Sequence, residues 1–306
     1  MSLLPYARLL RLPNVFTAFA DIALGVCAVV GYTSARVDAS FLIRSALLLA
    51  ASGCLYCAGM VWNDYFDLEE DRRDRPFRPL PSGKISLKTA VVIGASLLFV
   101  GMVCASLSGL REDGWQPSGA AIGGLLGAAI LLYDARIKRT SFGPIGMALC
   151  RFLNVLLGLT VVDIAAFPWA IRLHLALTIG VYIIGVTWFA RTEEKRSKPD
   201  ALRAAALVML VALAIALAVP TRVPAGTSFA LFPYLLVAFG FWIGFPVCRA
   251  IKAPAPDRVQ AGVKRCILGL VALDSLLATV FIGAPGLLLL LLLPPALLLG
   301  KKVYST

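Results

Sequence analysis

Asn63, Asp67 and Asp71 stand four residues apart in the stretch NDYFDLEEDRRDRPFRPLPSGKIS, residues 63–86. On a continuing helix each steps round by only about 40°, so the three share one face. Asp64 lies close in angle, Glu70 and Asp74 fall within the same arc, and Arg72 and Arg73 point elsewhere. Carboxylates crowded in this way repel one another unless a cation sits among them. A hard divalent cation that keeps some of its waters and bridges to phosphate oxygens suits such a face, and Mg²⁺ fits best. The plain alternative is a solvated helix end with alternating charges. The stretch, however, follows directly on an apolar run, Phe41–Trp62, long enough to cross a bilayer, and Pro76 ends the helix. Metal–phosphate chemistry at a membrane surface is therefore the expectation.

The elements that must position these residues are membrane helices. The chain has 306 residues, of which 59% are hydrophobic and 15% charged, with a mean hydropathy of +0.86. This excludes a soluble globular protein and defines an all-α, polytopic transmembrane bundle, read as a single integral membrane domain over residues 1–306. Residues 3–14 read as an amphipathic helix on the membrane surface. Spans follow at about 15–32, 41–62, 87–108, 118–133, 143–162, 170–190, 202–219, 229–248, 264–282 and 286–300. The first follows Arg8 and Arg11 without a small-residue cleavage site, so it is read as retained. In the last, Pro294-Pro295 leaves a half-inserted hairpin open as an alternative to a tenth span.

The net charge of +12 does not point to nucleic acid, because the bases collect in alternate loops as the positive-inside rule requires. The loops near 72–88, 134–139, 191–203 and 249–265 carry most of them, and the opposite loops hold little beyond Arg36, Arg44, Arg111, Arg172 and Arg222. This places the amino terminus and the loops about 63–88, 134–141 and 191–203 on the cytoplasmic side of the cell (inner) membrane. The seven cysteines lie in or beside apolar segments, and the Cys54-x-x-Cys57 pair has no second pair to complete a metal site. With His174 the only histidine, neither a His-based metal site nor a Ser-His triad is available.

Two more loops on the same face carry unusual residues. YDARIKRT, 133–140, offers Arg136, Lys138 and Arg139, and RTEEKRSKPDALR, 191–203, sets Glu193 and Glu194 among bases. Acids holding a metal, with Lys and Arg neutralising the remaining charge, suit a metal-bound diphosphate. Inside-positive topology alone would also explain those bases. Within the spans, where ionisable groups are costly, Asp21 shares a helical face with Asn14, and Arg151 shares one with Asn154. Asp21 and Asn154 are expected to line the bundle interior, and Asp274 to make a structural polar contact.

The N-x-x-x-D-x-x-x-D pattern at 63–71 followed by RPLPSG at 78–83 resembles the UbiA superfamily of intramembrane prenyltransferases. Supporting matches are Arg11-Leu-Pro-Asn14 with Asp21, Tyr133 with Lys138-Arg139, and RFLNVLLG at 151–158. The resemblance extends to about residue 282 and implies nine helices of this type, with the run at 286–300 as an addition. It implies that a prenyl diphosphate is bound through Mg²⁺ held by two acidic motifs, that loss of diphosphate generates an allylic cation, and that a small acceptor attacks it. The lipid tail would lie in an apolar cavity open to the bilayer. Carried over, Asn63, Asp67 and Asp71 hold the metal, with Asp64 joining or orienting them, and Lys138 and Arg139 bind diphosphate with Arg78 and Lys84 assisting. Tyr133, Asn14, Asp21 and Asn154 complete the expected substrate contacts.

The second acidic motif departs from the family's two aspartates. Here the place reads ARTEEKR, 190–196. Glu193 or Glu194 can supply a catalytic carboxylate beside Asp67 and Asp71, but adjacent residues diverge by about 100° on a helix. Arg191 and Lys195 share a face, which favours direct phosphate binding. The expectation is a Mg²⁺-dependent prenyltransferase acting on a small, aromatic or other, acceptor. The alternative is a non-catalytic relative that binds or moves a prenylated precursor. A CDP-alcohol phosphotransferase is set aside, because no D-G-x-x-A-R framework precedes Asp67.

Overall fold

The computed structural model describes residues 3–112, 114–191, 197–223 and 229–304. Helix starts and stops follow local chemistry. A short α1, Leu4–Leu9, is separated by a 3₁₀ turn containing Pro13 from α2, Val15–Thr33. Helix α3, Ala39–Phe66, is capped by Asp38, whose carboxylate accepts the Phe41 N–H at 2.8 Å. Helix α4, Leu68–Asp74, leads into the Arg75–Ile85 loop, and Ser86 caps α5, Leu87–Leu107. Next come α6, Ser118–Ala135; α7, Gly143–Gly158; α8, Trp169–Ala190; and α9, Pro199–Leu217. The chain continues with α10, Phe232–Lys252; α11, Pro256–Ile282; and α12, Leu293–Tyr304. Proline opens α9 and α11, where its missing N–H costs nothing.

Ten stretches are long and apolar enough to cross a membrane among the described residues. Two reach further toward the acidic face than expected from hydropathy: α3 runs on through Asn63 to Phe66, and α11 begins at Pro256. Helices α2, α7, α8 and α11 form the packed centre. Outer helices α5, α9 and α10 turn Phe99, Leu207, Leu210, Phe241 and Phe245 outward, as lipid-facing helices do. An unforeseen element is a two-residue antiparallel pair, β1 (Leu110–Arg111) with β2 (Gly114–Trp115), on the loop between α5 and α6.

The tenth run is a return crossing rather than a half-inserted hairpin. A 3₁₀ segment, Ala284–Leu292, packs on α11 where Ser275 donates to the Gly286 carbonyl at 3.0 Å. Helix α12 then reaches the far end, where Arg8 Nε donates to the Val303 carbonyl at 2.8 Å. Pro294 and Pro295 fall in the first turn of α12, where proline is tolerated.

The end of the bundle away from the acids is tied by Arg172, only 2% exposed. Its guanidinium donates to the carbonyls of Leu159, Asp163 and Phe167 at 2.7–3.1 Å. Nearby, the Ala165 N–H, then the Gln116 amide, hold the Asp163 carboxyl below its usual range.

In the centre, α2 and α7 touch backbone to backbone. A Cβ on Gly25 would stand 2.7 Å from the Gly158 carbonyl carbon, and one on Gly158 would stand 2.8 Å from the Ile22 oxygen. Small residues permit this approach in a membrane, where lipid gives no hydrophobic push between helices. One turn earlier on each helix stand Asp21 and Asn154, brought within 2.8 Å by the same approach. Gly158→Leu is therefore expected to overpack this contact, costing about 1–3 kcal/mol, and to lower the thermal midpoint in detergent. A surface substitution such as Leu210→Ala serves as control, and an unchanged midpoint for Gly158→Leu would contradict the packing.

Candidate active site

The helix that carries the acids breaks where the chemistry concentrates. Asp67 leaves helical geometry (φ −92°, ψ 4°) between α3 and α4. Helical hydrogen bonding persists across it, Asp67 N–H to the Asn63 carbonyl at 3.0 Å and Asp71 N–H to the Asp67 carbonyl at 2.8 Å. Asp67 and Asp71, expected on one shared face, consequently take different partners. Glu70 and Asp74 are exposed.

The carboxylates are neutralised by bases from three other segments. Lys138 Nζ lies 2.8 Å from Asp67 Oδ2, and Arg139 Nη2 lies 3.1 Å from Asp67 Oδ1 while also donating to the Phe66 carbonyl. Arg78 Nη1 donates to Asp71 Oδ2 at 2.6 Å and lies 3.5 Å from Asp64 Oδ1. Arg11 Nη2 reaches Asp64 Oδ1 at 3.1 Å and Asn63 Oδ1 at 3.3 Å. The Asn63 amide in turn donates to Asp134 Oδ1 at 3.0 Å. Asp64 and Asp71 are buried, so these pairs are held out of water, where removing one partner is costly.

Local sequence explains how the bases arrive. Arg11 adopts a left-handed conformation, φ 45°, which costs a non-glycine residue about 1–2 kcal/mol and turns the chain between α1 and the Pro13 turn. The RPLPSG segment is a chain of tight turns, closed by Ser82 N–H to the Arg78 carbonyl and Gly83 N–H to the Leu80 carbonyl. Gly83 sits at φ 72°, which glycine alone adopts without strain. Leu80 and Ile85 pack into a small core with Leu9, Val61 and Leu68. That core fixes the loop and delivers Arg78 to Asp71.

Beneath the acids lies a cavity of about 300 Å³. Asn63, Arg11, Tyr133 and Asp134 stand at its mouth, and Ile130, Ile183, Val186 and Leu270 are among its apolar walls. Asn14 lines it too. Deeper, Asn154 donates to Asp21 Oδ2 and to the Ala18 carbonyl, and accepts from Ser52 Oγ at 2.7 Å. Asn154 thus lines the cavity, whereas Asp21 stands fully buried behind it.

Other expected residues lie elsewhere. Lys84 is exposed and lines a shallow groove with Arg8 and Phe77, away from the acids. The turn that presents Arg78 carries Lys84 past the site. Arg191 donates to the carbonyls of Thr140 and Ser141 at 2.7 and 3.3 Å, clipping the end of α8 to the Lys138–Arg139 loop. Glu193, Glu194 and Lys195 lie outside the described residues. Sequence reasoning missed Asp134, although it adjoins Tyr133 in a loop read for its bases. It also left Arg11 and Arg151 out of the site, although Arg151 lies inside a span, where an arginine is itself a functional signal.

For a metal, the oxygen donors Asn63, Asp67 and Asp71 have the right hardness. Asp71 Oδ1 is buried without a hydrogen bond among the described residues, and Arg75 lies 3.6 Å from it. Among the described residues no three Asp, Glu, His or Cys side chains gather closely enough to cage an ion. The set fits a cation such as Mg²⁺ that takes one or two carboxylates and completes its shell with phosphate oxygens and water.

The bundle and the acid–base mouth define an integral membrane protein of the UbiA type. The family model of the UbiA prenyltransferase family matches residues 23–265, and the chain belongs to that family. It is 30% identical over 158 residues to the digeranylgeranylglyceryl phosphate synthase of Metallosphaera sedula, covering 50% of each chain. It is 31% identical over 163 residues to that of Saccharolobus solfataricus, covering 52% of each. The chain thus spans about half the length of the curated relatives it matches. Its fold is similar to that of a solved digeranylgeranylglyceryl phosphate synthase, with a TM-score of 0.65 at 20% identity over 91% of this chain and 98% of that one. It is also similar to a UbiA homologue from Archaeoglobus fulgidus bound to GPP and Mg²⁺, with a TM-score of 0.63 at 15% identity over 89% and 99%.

Arg78→Ala is expected to strand Asp71 in a buried position and to cost about 3 kcal/mol, the range for breaking a buried pair. Asp71→Asn in the same chain should restore most of the loss. Thermal unfolding of the single and double variants in detergent measures both, and additive losses would contradict the pairing.

Proposed function

We propose that the chain is a Mg²⁺-dependent intramembrane prenyltransferase, moving an isoprenyl group from a prenyl diphosphate to a small acceptor. The observation that carries this reading is the meeting of acids and bases at the cavity mouth. Asp64, Asp67 and Asp71 are held by Arg11, Arg78, Lys138 and Arg139 above an apolar-walled chamber. A diphosphate with its metal exchanges these partners: the acids turn to the cation, and the bases turn to phosphate oxygens. The Archaeoglobus relative, which binds GPP and Mg²⁺, supports the same assignment here.

Asn63, Asp67 and Asp71 would hold the Mg²⁺, which when bound offsets charge on the departing diphosphate. Lys138, Arg139 and Arg78 bind the diphosphate oxygens and stabilise the charge that develops as the C1–O bond breaks. The electron pair leaves with diphosphate. The cavity walls keep water from the allylic cation while the acceptor bonds to C1 and releases a proton. Arg191, through Thr140 and Ser141, fixes the Lys138–Arg139 loop. Glu193 or Glu194, which follow it in sequence, would supply the second carboxylate. The acidic face is cytoplasmic on this reading, supported by the bases gathered in the loops beside it.

Purified protein in nanodiscs tests the chemistry with geranyl, farnesyl and geranylgeranyl diphosphate, with and without Mg²⁺. Binding is expected to require Mg²⁺ and to weaken at least tenfold in Asp67→Ala, the scale of losing one charge-assisted contact. Diphosphate should be released once an acceptor extract is added. Binding indifferent to both Mg²⁺ and Asp67 refutes the transferase, and Mg²⁺-dependent binding without release makes the protein a carrier. For orientation, alkaline phosphatase inserted in the loop at 191–203 should be inactive and at Arg36 active. The reverse would invert the topology.

A further inference from the structure

Resting on the transferase reading, we infer that Arg151 is the anchor for the acceptor, binding a hydrogen-bond-accepting oxygen on it deep in the cavity. The cavity has two polar poles. The first is the acidic mouth at Asn63. The second lies along the same helix at Tyr56 and Ser52, seven and eleven residues earlier, or about 10 and 16 Å at 1.5 Å per residue. A prenyl tail offers nothing to a polar pole, and the diphosphate is committed to the mouth, so the inner pole serves the other substrate.

Arg151 is the one cation at the inner pole among the described lining residues. Its Nη1 donates to Asp21 Oδ2 at 3.1 Å and its Nη2 to Thr17 Oγ1 at 2.6 Å, and it lies 5.9 Å above the Tyr56 ring. A guanidinium carries five N–H donors, and Asp21 and Thr17 are its only hydrogen-bond acceptors among the described residues. Its side chain is 14% exposed, and the space it faces is the cavity.

The support behind this arginine is larger than a salt bridge needs. Asp21 is fully buried and gripped by Asn154, which Ser52 orients in turn. Asp274 of α11, also fully buried, stands against Asp21. Asp21 and Thr17 thus fix a guanidinium that lines the chamber, with Asp274 standing behind Asp21. Asp21 acts here as a positioning residue, and Asn154 as its brace. The acceptor this arrangement fits is about one ring long, with its nucleophilic atom toward the mouth and a hydroxyl or carboxylate oxygen on Arg151. A site built to bond a substrate oxygen rejects the analogue that lacks it.

The test uses three probes that share one methylphenyl frame, toluene, 4-methylphenol and 4-methylbenzoate. Their binding to full-length protein in nanodiscs is measured by saturation-transfer NMR, corrected for partition into empty nanodiscs. In the wild-type protein one or both oxygenated probes are expected to bind at least tenfold more tightly than toluene. The phenol and the carboxylate distinguish a neutral from an anionic acceptor group. Arg151→Lys, which keeps a charge beside Asp21, should cut that preference several-fold. Arg151→Gln combined with Asp21→Asn, which strands no charge, should abolish it while geranyl diphosphate still binds with Mg²⁺. Equal affinity for all three probes in the wild-type protein overturns the proposal, without any variant having to fold. So does a preference that survives both substitutions. Because probe binding needs neither Mg²⁺ nor a prenyl donor, its failure is distinct from failure of the transferase reading.

Discussion

Charge placed in and beside a membrane must be matched, and this constraint organises the whole molecule. Asp64, Asp67 and Asp71 sit where α3 leaves the bundle, too buried for water to solvate them fully. Asp64 and Asp67 are answered from distant parts of the chain, by Arg11 before the first span and by Lys138 and Arg139 after the fourth, and Asp71 by Arg78, which the following turns fold back onto it. The pairs tie these segments together and set the mouth of the cavity. The RPLPSG loop is also held by the small apolar core around Leu80 and Ile85, whereas the Lys138–Arg139 loop is drawn to the acids by charge.

The same pairs make the site responsive. A carboxylate locked to an arginine in a dry core with no alternative partner is a structural device. Here the partners are of both signs, and Arg11 among them borders open volume, so a ligand that brings both charge types can divide them between its own groups. The folded state is thus held by the interactions that ligand binding would redistribute. A preformed cluster of bare carboxylates, by contrast, would repel itself whenever the cation was absent.

Below the mouth, backbone contact does the positioning. The Gly25–Gly158 approach of α2 and α7 is what lets Asp21 meet Asn154 and Arg151. Third helix α3 joins through Ser52, and α11 brings Asp274. Four helices therefore converge on one buried polar cluster. An ionisable group in hydrocarbon is expensive, and the packing that satisfies Asp21 also aims Arg151 at the chamber.

The sequence by itself determined the membrane bundle, because hydropathy over about 20 residues is a property of contiguous chain. It also determined the acidic motif, the helix ending near Pro76 and the turn at RPLPSG, because spacing, proline and glycine act locally. Only the tertiary structure decided who pairs with whom. Asp67 with Lys138 and Asp64 with Arg11 join residues from separate segments, Asp71 with Arg78 depends on how the intervening turns fold, and no local pattern ranks the bases of several loops. Lys84 and Arg78 belong to one motif, yet the turns between them send only Arg78 to the acids. The break at Asp67 and the backing of Arg151 by Asp21 and Asp274 were likewise invisible, because both follow from where other helices stand.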